Sequence, residues 1–211
     1  MKITKLGHCC MVVEEGGVRF LFDPGNYSTL QNEVTNINYI LITHEHGDHF
    51  HIPSLKQVLA NNPEVKVITN SAVAALLDKE GISYSALDSG EMDCRGVKVR
   101  AFGQSHREMY PGMSNVRNVG YFVGERFFFP GDAFTPVGEE VGVLALPIAG
   151  PWLKMAESID YAIALKPKVC FPVHDGNFIQ TPTSVKKVPP ILLTPAGVRY
   201  EVLELGKPYD S

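Results

Sequence analysis

The chain has 211 residues, of which 45% are hydrophobic, and its 23 acidic residues outnumber its 19 basic ones, giving a formal net charge of −4. Because phosphate backbones require a basic surface, this balance argues against a nucleic-acid partner. The sequence contains no run of about 18 apolar residues, the length needed to cross a membrane. Its N-terminal stretch also lacks the long apolar region of a signal peptide. We therefore expect a cytoplasmic protein without a membrane partner, folded as one domain over residues 1–211.

The predicted elements are short strands with interspersed helices. Residues 2–22 predict a meander of three strands, and Pro53 opens an amphipathic helix. The strand "VKVIT" and a second amphipathic helix follow. Strands fill most of residues 84–147, and a third helical stripe includes Met155. Residues 177–196 are rich in Pro and Thr and predict a covering loop.

The stretch "LITHEHGDHFH", residues 41–51, contains four of the seven histidines of the chain. Imidazoles interleaved with carboxylates are costly to bury unless a cation compensates them. The stretch follows a strand-like apolar run and contains Gly47, which predicts a tight loop at a strand end. The pattern therefore favours a metal site over a solvated polar loop. Glu45 and His51 are interpreted as ordinary loop residues.

Three further segments repeat the same order of an apolar run, a Gly or Pro turn and then a potential metal ligand. They are "VKVRAFGQSH", ending at His106, "RFFFPGDA", containing Asp132, and "KVCFPVHDG", containing His174. Taken singly, each could be a structural residue or a common turn. Together with the histidine-rich stretch, they predict ligands on several loops at strand ends.

These motifs carry a family resemblance. "THEHGDH" resembles the HxHxDH signature of the metallo-β-lactamase superfamily, and the later ligand candidates follow in that superfamily's order. "LFDPG", with Asp23, resembles its first motif. The flanking stretches are most similar to a compact branch that includes ascorbate-phosphate lactonase. The resemblance implies an α/β fold: a four-layer αββα sandwich of two mixed β-sheets with external helices.

The resemblance also implies a binuclear metal centre. Its ligands would be His44, His46 and His106 for one ion, Asp48, His49 and His174 for the other, and Asp132 as the bridge. Asp23 would orient the histidine-rich loop without touching metal. Two divalent ions are expected, zinc first, with manganese or iron as alternatives.

With such a centre, Asp48 and Asp132 would be the catalytic carboxylates, and a metal-bridged hydroxide would attack an ester, lactone, amide or phosphoester bond. Two cations, two carboxylates and one hydroxide leave a charge of about +1, which favours a small anionic substrate. Candidates for holding that substrate lie beside the motif loops: Asn26, Tyr27, Arg107, Tyr110, Trp152 and Asn177.

Three alternatives stay open. A phosphodiesterase acting on nucleic acid or nucleotides would need more basic surface. A redox di-iron protein of this fold resembles HxExDH, with a carboxylate where this chain has His46, and carries a flavin domain. A non-catalytic, metal-stabilised binding module would need only one closed metal site.

His8 and the four cysteines are the other side chains considered as metal ligands. His8 is interpreted as a structural histidine. The four cysteines are expected to be buried thiols, with Cys10 considered as a possible additional ligand. Substrate identity is not encoded in any motif, and a homo-oligomer is possible.

Overall fold

The computed structural model describes residues 1–113, 116–176 and 184–211. The first sheet contains β1 (Lys2–Gly7), β2 (Cys10–Glu15), β3 (Val18–Phe22), β4 (Tyr39–Ile42), β5 (Lys66–Thr69), β6 (Ser85–Ala86) and β14 (Pro208–Asp210). The second contains β7 (Gly90–Cys94), β8 (Val97–Phe102), β9 (Gly120–Val123), β10 (Phe127–Phe129), β11 (Val143–Pro147), β12 (Val169–Val173) and β13 (Arg199–Tyr200). The helices are α1 (Ile52–Asn61), α2 (Ser71–Lys79), α3 (Met155–Leu165) and α4 (Ser184–Leu193), with a short 3-10 helix at Leu30–Glu33.

The two sheets share one topology. The strand orders are β14-β1-β2-β3-β4-β5-β6 and β13-β12-β11-β10-β9-β8-β7. In each, an antiparallel meander (β1 to β3, or β7 to β10) leads into parallel strands (β3 to β6, or β10 to β13). Because the carboxyl ends of parallel strands share one edge, the loops after these strands are brought together there.

Both faces of each sheet are buried, which produces four layers. Along β4, Leu41 packs into the central core between the sheets, whereas Ile40 and Ile42 pack outward towards α1 and α2. A strand buried on both faces is a continuous apolar run, as this one is. A third core packs α3 and α4 on the second sheet, with Ile159 and Leu193 buried. The predicted four-layer αββα sandwich is confirmed.

The covering loop predicted for residues 177–196 is wrong where the structure describes it. Residues 184–193 form α4, which buries Val185, Pro189 and Leu193. Their spacing of four residues gives the helix one apolar face, and its burial against the second sheet offsets the cost of proline within a helix. Residues 177–183 lie outside the described residues. Across the described chain, no helix is long and apolar enough to span a bilayer.

Candidate metal centre

The seven predicted ligands converge at one edge of the two sheets. The potential ligand atoms of His44, His46, His106 and Asp132 lie within 4.8 Å of one another, and a second group contains His8, Asp48, His49 and His174. The histidine-rich loop follows β4, and the other ligands follow β8, β10 and β12. Residues far apart in sequence thus form two adjoining His/Asp clusters.

The loops that carry these side chains are tightly packed and partly strained. A Cβ atom at Gly25 would lie 1.8 Å from the carbonyl oxygen of Asp48, so only glycine fits there. Asp23, His8 and His174 have positive φ angles of 39°, 37° and 58°, which non-glycine residues rarely adopt. Such conformations persist only where the surrounding structure enforces them, and they are typical of functional sites.

Asp132 lies between the two clusters. Its Oδ2 is 3.2 Å from His106 Nε2 and 3.0 Å from His174 Nε2, and its Oδ1 is 3.2 Å from His49 Nε2. Burial alone would favour the neutral acid, but His49 and His174 hold the pKa of Asp132 well below its ordinary value. A single ionised carboxylate therefore faces the imidazoles of both clusters.

The donor atoms fit divalent metal ions. His49 Nε2 and Asp132 Oδ1 are buried and, among the described residues, form no hydrogen bond, although they face each other at 3.2 Å. His44 Nε2 and His46 Nδ1 are 3.1 Å apart, and His174 Nε2 is 3.3 Å from Asp48 Oδ2. Ligands on a tetrahedral ion at about 2.0–2.1 Å are about 3.3 Å apart, so these separations suit a shared cation.

Asp23 connects both clusters from beneath. Its Oδ1 accepts the Thr43 N–H at 2.8 Å, and its Oδ2 accepts the Thr43 hydroxyl and His49 Nδ1–H, both at 2.7 Å. Because the Thr43 hydroxyl proton is directed to Asp23, its oxygen accepts His44 Nδ1–H at 3.0 Å. One buried carboxylate thus fixes the orientation of one histidine in each cluster.

These contacts select the tautomer that metal binding requires. With Nδ1 carrying the proton in His44 and His49, the Nε2 lone pair of each ring is directed into the clusters. The same applies to His106, whose Nδ1–H donates to the carbonyl oxygen of Arg107 at 2.5 Å. Burial lowers the pKa of His44, and burial together with His106 lowers that of His46. Both rings are therefore kept neutral, as ligands must be.

His8 has a different role from the ligands, although its ring lies in the second cluster. The Gly176 N–H donates to His8 Nδ1 at 3.0 Å, so in the neutral ring the proton is on Nε2. Burial lowers the pKa of His8 to about 4, which keeps the ring neutral. Its Nε2–H donates to Asp48 Oδ2 at 3.0 Å. His8 therefore holds the Asp48 carboxylate and offers no lone pair to a metal.

All four cysteines are buried and free. Cys9, not Cys10, faces the clusters, since its sulfur lies within 4.8 Å of ligand atoms of His49 and Asp132. Cys10 packs into the core beneath α1 and α2. The expectation of buried thiols is confirmed, and Cys10 is not placed to be a ligand, because its side chain lies on the opposite face of the sheet from that of Cys9.

Three supporting residues were missed from the sequence: Asn118, Lys5 and Thr43. Asn118 Oδ1 accepts the Asp132 N–H at 3.0 Å, and its amide donates to the Pro130 carbonyl at 2.8 Å, which holds the Asp132 loop. Lys5, only 2% exposed, forms a 2.5 Å ion pair with Asp175 next to His174. No local motif marks these long-range contacts. The Thr43 contact could have been suspected from its position directly before His44.

A cleft of about 640 Å³ opens over both clusters. Of the predicted substrate-holding residues, Asn26, Tyr27 and Trp152 line it. Arg107 and Tyr110 line a neighbouring cleft, which shares His106 and Met109 with this one. Arg107 directs its guanidinium to Glu157 at 2.7 Å. Asn177 lies outside the described residues. The remaining lining residues include His46, Asp48, His106, Met109, Asp132, Ala149, Gly150, Pro151 and His174.

Comparisons with known proteins place this geometry in a family. A sequence model of the beta-lactamase superfamily domain matches residues 2–174. Protein Rv0786c of Mycobacterium tuberculosis is 37% identical over 83% of this chain and 84% of its own length. A UPF0173 metal-dependent hydrolase of Alkaliphilus metalliredigens is 32% identical over 84% of this chain and 86% of its own length. The structure of Igni18, a metallo hydrolase from Ignicoccus hospitalis, superposes with a TM-score of 0.79 at 19% identity, covering 100% of this chain and 98% of that one.

The matched family model and the relatives thus show the family, and the structural likeness agrees with the fold. The chain belongs to the metallo-β-lactamase superfamily and, within it, to the UPF0173 family of metal-dependent hydrolases. The particular similarity to the lactonase branch remains a proposal.

Proposed function

We propose that this metal-dependent hydrolase cleaves a carboxylic ester or lactone bond in a small, uncharged substrate. The observation that carries the proposal is the cleft wall, where Met109, Ala149, Pro151 and Trp152 face the two clusters. No Lys or Arg of the described residues lines the cleft. The segments 114–115 and 177–183 contain neither residue type.

This lining revises the expectation of an anionic substrate. The positive charge of a metal-loaded centre favours an anion, but a phosphoester also needs partners for its remaining charged oxygens. Arg107, the nearest candidate in sequence, is engaged by Glu157 and by the Phe134 ring. An apolar wall lacking a cation favours an uncharged acyl group, so the phosphodiesterase alternative is the weaker of the two.

The metal ligands and the cleft wall would have different roles in the hydrolysis. Two bound divalent ions would supply an activated water molecule and stabilise negative charge developing on the carbonyl oxygen. Asp132 would hold the two ions at a fixed separation, and His8 would keep Asp48 in its binding orientation. The apolar wall would exclude bulk water and strengthen electrostatic interactions within the cleft. Three imidazoles and a carboxylate in the first cluster suit zinc.

Turnover by reconstituted protein tests the proposal. Metal-stripped protein would be loaded with zinc, manganese or ferrous iron and assayed with 4-nitrophenyl acetate, δ-valerolactone and bis(4-nitrophenyl) phosphate. We expect hydrolysis of the ester and the lactone to exceed that of the phosphodiester, and to vanish in Asp132→Ala. Faster hydrolysis of the phosphodiester would favour the alternative, and no hydrolysis with any metal would support the binding module.

A further inference from the structure

Trp152, the only tryptophan of the chain, carries a buried donor without an acceptor. The residue is 5% exposed, and its buried Nε1 forms no hydrogen bond with any described residue. An unsatisfied buried donor is destabilising, so natural proteins rarely keep one without a reason. The ring could have been replaced by phenylalanine if only its packing mattered.

The indole lies directly over the two clusters. Its ring centroid is 5.6 Å from that of His106, in one cluster, and 5.6 Å from that of His174, in the other. Phe134 packs against it at 5.9 Å. The ring is therefore held in one orientation by aromatic neighbours, which reduces the entropy lost when its N–H binds a ligand.

Gly150 lies close to the indole N–H. A Cβ atom at position 150 would lie 2.9 Å from Trp152 Nε1, and Gly150 has none. Gly150 and Trp152 both line the cleft above the clusters. A side chain at position 150 would therefore crowd the indole nitrogen, and glycine avoids this.

We propose that Trp152 is a specificity-determining residue whose indole N–H donates a hydrogen bond to an uncharged oxygen of the substrate, such as a lactone or ester oxygen. This inference rests on the proposed function, which makes the cleft the substrate site. Indole nitrogen is a donor only and carries no charge. It therefore selects an acceptor oxygen without favouring an anion, in agreement with a cleft that lacks Lys and Arg.

The single tryptophan makes a direct test possible. In a proton–nitrogen correlation spectrum of uniformly labelled protein, one indole N–H signal is expected, and it can only come from Trp152. We would titrate metal-loaded protein with 2-pyrrolidinone, an uncharged cyclic amide of lactone shape that resists hydrolysis. A saturable downfield shift of the indole proton is expected. A signal that does not shift saturably would overturn the inference.

Kinetics of an isosteric variant give a second readout. Replacing Trp152 with 3-benzothienylalanine keeps the ring but exchanges the N–H for sulfur, and it alters no other position. We expect kcat/KM for the lactone or ester to fall about 3- to 10-fold, the effect of one lost hydrogen bond, mainly through a higher KM. Thermal stability should not fall, because the removed donor has no partner within the chain.

The matched control is Trp152→Phe, which also removes ring area and is expected to lower thermal stability. A purely structural tryptophan would give unchanged kcat/KM in the isosteric variant, and that result would overturn the inference. The two proposals can also fail separately. A saturable shift without hydrolysis of any substrate would refute the proposed function alone. Hydrolysis with neither a shift nor a change in kcat/KM would refute only the role of Trp152.

Discussion

His49 Nδ1 lies 2.7 Å from Asp23 Oδ2, and both side chains are fully buried. Asp23→Asn keeps the shape but removes the charge and replaces an acceptor by a donor that would face Thr43 or His49. We expect metal affinity to fall about 10- to 100-fold, as outer contacts of metal ligands typically contribute. Competition with a chromogenic chelator would measure the change.

A suitable control for Asp23→Asn is Asp88→Asn. Asp88 also accepts several hydrogen bonds, from Ser71 and Arg117, but it belongs to neither cluster. Its variant should bind metal normally. Equal affinity in the two variants would show that Asp23 is only a turn residue.

Substitution of Asp132 should lower the number of bound metal ions more than substitution of His106. Asp132 contacts His49, His106 and His174, whereas His106 belongs to one cluster only. We expect elemental analysis to find up to two ions in the parent protein, about one in His106→Ala and fewer than one in Asp132→Ala. Full occupancy in Asp132→Ala would contradict the bridging role.

Metal affinity should depend on pH through His174. Burial lowers its pKa, but Asp132 and Asp48 outweigh burial and raise the pKa to about 9 in the metal-free protein. Asp132 likewise outweighs burial and raises the pKa of His49 in the same cluster. Because a metal binds only neutral rings, binding releases a proton from each protonated ring. Affinity should rise up to about tenfold per pH unit for each proton released, until it levels off near the raised pKa values. Calorimetric titration of metal-free His106→Ala with metal, in buffers of different ionisation enthalpy, would count the protons released on binding. A value of zero would contradict the predicted pH dependence.

The raised pKa of His174 also makes the free energy of unfolding of the metal-free protein depend on pH. A raised pKa in the folded state stabilises only the protonated form, so this contribution is fully present below about pH 6.5, the ordinary histidine pKa. It should be lost as pH rises through about 9, the pKa of His174 in the folded protein. Urea denaturation of metal-free protein across this range would measure the loss. His174→Gln should reduce the loss and leave the contribution of His49, whose pKa is also raised.

The buried pair of Lys5 and Asp175 should matter more to stability than any surface pair. Lys5→Met leaves the Asp175 carboxylate buried without its cation, and we expect a loss of about 3–5 kcal/mol in the free energy of unfolding. Adding Asp175→Leu should recover much of it. As a control, Lys168→Met removes an ion pair with Glu140 in which both side chains are over three-quarters exposed, and should cost less than about 1 kcal/mol.

Much of the fold could be predicted from the sequence because it depends on local patterns. Apolar runs such as residues 39–42 predict strands buried on both faces, and the stripes beginning near Pro53 and Met155 predict the helices that cover them. One exception is α4, where proline content indicated a loop although the apolar spacing of Val185, Pro189 and Leu193 fits a helix. Another is the stretch 84–147, which was predicted to be mostly strand although strands β6 to β11 cover less than half of it.

The seven predicted ligands could be picked out from local sequence, because each of them, like Asp23, follows a strand within a short motif, and the structure brings all seven together. The contacts between distant segments, in contrast, depend on the tertiary structure. Lys5 meets Asp175 across 170 positions, His8 holds Asp48, and the indole of Trp152 lies over both clusters. Side-chain direction, tautomer and cleft lining depend on how loops pack against each other, and no local pattern of residues encodes that packing.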